Sequence, residues 1–125
     1  MNDYVKYNGP KYGKDKVAFF SNADIFVQPT LNDCFPLTLL EAMQYKLPIV
    51  STHEGAVPDI VTDGKNGLVC QREDALGTAT AIETLLKDEE TRTQMGENGY
   101  KIFKEKFTLD IFNNNITRIL KELLL

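Results

Sequence analysis

One ionisable side chain interrupts the apolar run Phe35-Pro36-Leu37-Thr38-Leu39-Leu40-Glu41-Ala42-Met43. A helix this apolar is expected to be covered on most sides, and a buried carboxylate is costly unless it has partners. Thr38 and Glu41 lie three residues apart and so share a helical face, which is expected to open on a cleft. A carboxylate there can accept hydrogen bonds from the hydroxyls of a sugar or a ribose; the other reading is a hydrogen bond to a neighbouring loop. Asp33 stands just upstream, where Asp either caps or turns the chain or reaches the same cleft. Pro36 suits the first helical position, where its missing N–H costs nothing. The start of such a helix offers free backbone N–H groups and a partial positive charge, which suit a diphosphate. Residues 28–41 are therefore the best site candidate.

Around this segment, short apolar runs alternate with longer helical patterns, which indicates an α/β fold with a parallel sheet. Residues 4–7 could form a short strand closed by the turn pair Gly9-Pro10. A helix is expected over 14–22, with Val17, Phe19 and Phe20 as its buried side. Ile25-Phe26-Val27 reads as a strand covered on both faces that stops at Pro29. A helix over 36–45 follows, then a strand over 49–52, the loop His53-Glu54-Gly55 and a short helix from Pro58 to Val61. His53 is read as an ordinary loop residue. The turn Asp63-Gly64-Lys65-Asn66-Gly67 precedes a last strand over 68–70. Helices are expected over 75–87, with Leu76, Ala79, Ile82, Leu85 and Leu86 at helical spacing, and over 89–106, with Met95, Ile102 and Phe103. Thr108 is placed as the N-cap of a final helix bearing Ile111, Phe112, Ile116, Ile119, Leu120 and Leu123. The closing leucines point to a core role or, alternatively, to covering a partner.

The chain has 125 residues and a formal charge of −4, so one domain is expected and a nucleic-acid partner is not. Lys11, Lys14 and Lys16 form either a solvated face or a phosphate-attracting rim. Cys34 and Cys70, with one histidine, make no metal ligand set, and reduced thiols in the cytoplasm are expected. No apolar run reaches the roughly 18–20 residues of a membrane span.

At the same residues the chain resembles the GT-B glycosyltransferases of the large retaining family four. That family carries a Glu, seven residues, and a second Glu within Leu-Glu-Ala-Met. DCFPLTLLEAM (33–43) matches with Asp33 in the first Glu's place. LPIVST (47–52), EGAVPDIV (54–61), DGKNGLV (63–69), LLKDEETRTQMGENG (85–99) and KFT (106–108) continue the likeness in order, over roughly residues 24–120. The resemblance implies a Rossmann-like parallel sheet with flanking helices, an incomplete C-terminal half of the GT-B fold. It implies a nucleotide diphosphate-sugar as donor substrate, transferred with retention in glycan or polysaccharide synthesis, and no separate cofactor. Glu41 would bind the ribose, and Asp33 would face the sugar or its phosphates as the catalytic carboxylate. Backbone amides near Phe35, Leu37 and Thr38 would hold phosphate and sugar oxygens, and the loop of Gly9, Pro10 and Lys11 would lie at the base.

Two departures stand out. Asp33 reaches about 1.5 Å less than Glu, and Cys34 and Pro36 replace the family's glycines, Pro36 without an N–H. The family's acceptor domain and the early strands of its donor domain have no counterpart in these residues. The chain alone is therefore expected not to transfer sugar. Its Ile25 strand is expected to expose a sheet edge that invites self-association. Other readings are a GT-B sugar-nucleotide epimerase, a non-catalytic sugar-nucleotide-binding remnant, or a receiver-type signalling domain. The last needs an acidic pair that is missing before Ile25-Phe26-Val27, which runs on into Gln28-Pro29-Thr30.

Overall fold

The computed structural model describes residues 3–125. In chain order the elements are α1 (Gly13–Asn22), β1 (Phe26–Gln28), α2 (Leu37–Gln44), β2 (Ile49–Thr52), α3 (Val57–Ile60), β3 (Gly67–Cys70), α4 (Ala75–Lys87), α5 (Glu89–Lys106) and α6 (Leu109–Leu124). The strands form a parallel sheet in the order β1-β2-β3, with Phe26 opposite Ile49 and Ile49 opposite Gly67. Helices flank it, which is the Rossmann-like α/β arrangement expected.

The central strand explains the core. All four residues of β2 are buried, because β2 is paired on both edges and covered on both faces. On one side Ile49 packs with Leu39, Ala42 and Met43 of α2 and with Val57 and Ile60 of α3. On the other, Val50 meets Ala81 and Leu85 of α4 and Met95 of α5. The turn before β3 is held from inside by Asn66, whose buried amide accepts from the Thr62 N–H (2.8 Å) and donates to the Ile60 carbonyl (3.1 Å).

Several expectations need correction. Residues 4–7 form no strand; they run as an exposed turn and coil, since among the described residues no strand lies beside them to complete a ladder. In α1 only Phe20 is substantially covered, stacked between Phe26 and Tyr45 at 5.7 and 5.2 Å, while Val17 and Phe19 stay exposed. The first strand is shifted by one residue and is not covered on both faces. Among the described residues β1 pairs only with β2, and Val27 is 38% exposed. Pro36 is the N-cap residue of α2 rather than its first helical residue, and α3 starts one residue before Pro58.

The bounds of β2, α4 and α5 fall where expected. In α4, however, Leu76 and Leu86 face solvent, and Ala81, Ile82 and Leu85 make the packed side. Thr108 caps α6 by accepting from the Ile111 N–H at 3.3 Å. The apolar face of α6 does not join the core: the helix has no buried residue. Its Phe112, Ile116 and Ile119 instead line an open groove of about 700 Å³ with Phe35, Leu37, Leu40 and Phe107.

Candidate functional site

The carboxyl ends of the parallel strands are where an α/β sheet presents ligands, because loops there feed helix N-termini. The loop from β1 to α2 holds most of the candidate residues. Gln28 ends β1, its carbonyl accepting from the Ser51 hydroxyl at 2.8 Å, and Thr30 is held likewise by Thr52 at 2.6 Å. The loop then rises through Asp33 and Cys34 to Pro36. Among the described residues no side chain caps α2, so the amides of its first turn at Leu37 and Thr38 remain available to an acceptor.

A second loop supports the first. The Ala56 N–H donates to the Cys34 carbonyl at 2.8 Å. Gly55 lies so close to the same loop that a Cβ on it would sit 1.9 Å from the Asp33 carbonyl oxygen. Its φ of +50° is also a value that favours glycine. The glycine in His53-Glu54-Gly55 is thus what lets the β2 loop lie under Asp33. His53 itself is exposed, as an ordinary loop residue would be.

Two polar groups emerge. In the first, the Gln28 carboxamide links Asp33 and Thr38: its Nε2 donates to Asp33 Oδ2 at 3.2 Å, and its Oε1 accepts from Thr38 Oγ1 at 2.5 Å. In the second, Glu41 Oε2 pairs with Lys16 Nζ at 2.9 Å, and the Glu41 side chain is 32% exposed. Lys16 also lines a cavity of about 400 Å³ with Asn8, Gly9, Lys11, Phe19 and Phe26. There Gly9 takes φ +69°, and Lys11 Nζ stands 5.3 Å from the Phe19 ring centre.

Asp33 and Thr38 are therefore in one network, while Glu41 reaches the cavity of Gly9 and Lys11 through Lys16. Helix α2 carries both Thr38 and Glu41 on one face. Pro10 is exposed and does not line that cavity. The side chains of Phe35 and Leu37 line the groove against α6, with Phe35 edge-on to Phe107 at 6.4 Å, so only their backbone can serve the loop site.

Sequence reasoning included Gln28 at the edge of the candidate segment and Lys16 in a lysine cluster, but gave neither its partner. A polar residue closing an apolar strand was a signal for the first; for the second, only its membership of a lysine cluster was. Neither alternative for Glu41 anticipated an ion pair across to α1. At the end of β3, burial pushes the Cys70 thiol up; a hydrogen bond to Thr78 opposes this, and the nearby Asp74 and Asp63 charges add to it. That thiol stays protonated near neutral pH and is a poor nucleophile.

A sequence profile of the family described as "Glycosyl transferases group 1" matches residues 1–102. The chain belongs to this family. The capsular polysaccharide biosynthesis glycosyltransferase CapM of Staphylococcus aureus is 32% identical over 101 residues, covering 81% of this chain and 27% of CapM. The chain thus spans about a quarter of that relative's length.

Among solved structures, the C-terminal domain of the group 1 family protein LpcC from Francisella tularensis superposes with a TM-score of 0.74 at 26% identity, covering 82% of this chain and 53% of that one. Anabaena HepE, solved with UDP, gives a TM-score of 0.82 at 22% identity over 88% of this chain and 30% of its own. HepE has also been solved with UDP-glucose. The sheet and its flanking helices are those of the GT-B glycosyltransferases. No helix among the described residues is long and apolar enough to cross a membrane.

Proposed function

We propose that this chain holds the nucleotide diphosphate-sugar donor of a glycosyltransferase that passes the sugar on with retention, in polysaccharide synthesis on the cytoplasmic side. The observation that carries this reading is Glu41: a partly exposed carboxylate on an apolar helix, one turn from that helix's uncapped start. Glu41 would accept from the ribose hydroxyls, and Asp33 would face the transferred sugar or its phosphates. The amides of the α2 first turn would take phosphate oxygens, where the helix dipole favours negative charge. The cavity of Gly9 and Lys11 would receive the base, with Pro10 at its margin. The parent's acceptor half would supply the second substrate, so transfer would be a matter of positioning the two together. As the nucleotide leaves, the same electropositive helix start would stabilise its growing charge.

HepE's complexes with UDP and UDP-glucose support this choice of ligand, and CapM's role supports the product class. The test is a calorimetric titration of UDP-glucose into the chain and into Glu41→Ala. Loss of a charged hydrogen bond is expected to weaken binding roughly ten- to a hundredfold. Equal affinity for both proteins removes Glu41 from the site.

A further inference from the structure

We propose that Gln28 is a positioning residue that presents Asp33 to the hydroxyls of the donor's sugar rather than to its phosphates. The inference rests on the donor reading above.

The Gln28 main chain is pinned. It lies in register with Ser51, and its carbonyl accepts from both the Ser51 hydroxyl (2.8 Å) and the Thr30 N–H (2.9 Å). From that fixed base the carboxamide makes its two bonds with opposite polarity, accepting from Thr38 and donating to Asp33.

The polarity decides what is left for a ligand. A threonine hydroxyl has one proton, and here it is spent on Gln28, so Thr38 Oγ1 offers only lone pairs outward. A carboxylate is acceptor-only, and among the described residues Asp33 Oδ1 has no hydrogen-bond partner. The array therefore presents two acceptor oxygens and a negative charge, with one remaining Nε2 proton as its single donor. A phosphoryl group, itself anionic and acceptor-only, is repelled by that surface, whereas a sugar hydroxyl can donate to it. Diphosphate binding is left to the α2 amides, and the short Asp33 side chain is held on the sugar's side by Gln28.

Gln28→Leu removes both bonds. Gln28→Glu keeps the acceptor toward Thr38 but sets a second acceptor against Asp33. UDP-glucose and UDP are titrated into the chain and both variants, with circular dichroism to confirm folding. Each variant is expected to bind UDP-glucose roughly three- to tenfold more weakly, the loss of one positioned hydrogen bond, and Gln28→Leu, which adds no charge, is expected to bind UDP as before. In the same chain, the Gln28 side-chain amide resonances are expected to shift in Asp33→Asn with no ligand present. Unchanged UDP-glucose affinity in either variant, an equal loss of UDP binding in Gln28→Leu, or amide resonances indifferent to Asp33→Asn each overturn the proposal. If the unaltered chain binds neither nucleotide, the donor reading itself falls and takes this inference with it.

Discussion

Helices α2 and α6 both bear apolar residues at helical spacing, yet their surroundings are opposite. α2 buries Leu39, Ala42 and Met43 completely against β2 and α3, while α6, twice as long, buries nothing. The spacing of apolar residues reports which face of a helix wants cover; whether cover exists depends on what the sheet places opposite. α2 lies on a central strand paired on both sides, so its buried face is fixed and its polar face, with Thr38 and Glu41, is fixed with it. α6 follows the corner at Phe107, touches the end of α5, and faces Leu37 and Leu40 of α2 only across the open groove. The candidate site therefore stands on the most constrained part of the molecule.

The contrast can be broken most forcefully at Leu39. Leu39→Ala is expected to cost about 2–5 kcal/mol in urea unfolding, because a fully covered side chain leaves a cavity that its neighbours close only in part. A loss below half of that range would mean that α2 is not the anchor described.

Gly55→Ala comes next. The left-handed backbone and the approach to the Asp33 carbonyl together set a stability loss of about 1–3 kcal/mol. Because the clash falls on the Asp33 loop, UDP-glucose affinity is expected to drop alongside it. Stability lost with affinity intact would show that the two loops are not coupled. The smallest change sharpens the contrast from the other side: Phe112→Ser, at a residue 61% exposed on α6, should leave stability within about 0.5 kcal/mol. A large loss there would mean that α6 is covered in solution.

Much of this arrangement was legible in the residues. The run Ile49-Val50-Ser51-Thr52 between Pro48 and a polar loop reads as a strand, and the bounds of α4 and α5 follow from the spacing of their apolar residues. Glu41 drew attention because it is the one charge on an apolar helix, and the linked motifs pointed to the family. What stayed hidden depends on contacts between segments. The Gln28 bridge needs β1 and α2 folded together, and the Lys16–Glu41 pair needs α1 brought across to α2. The bare face of α6 could not be told from a core face, since both have the same periodicity. Residues 4–7 show the same limit for strands: a mostly apolar run of four residues is not enough without a neighbour to pair with.

The parallel register has a consequence for how the molecule forms. Among the described residues no two strands are joined by a hairpin, so each pairing of β2 must wait until a whole intervening helix has folded the chain back. Such non-local closure is slow compared with helix formation. During synthesis β2 has no partner on its second edge until β3 has left the ribosome, and until then its apolar side chains are open to other chains. Conditions that slow crossover through α2 or α3 should therefore lower the yield of soluble protein before they alter the stability of what has folded.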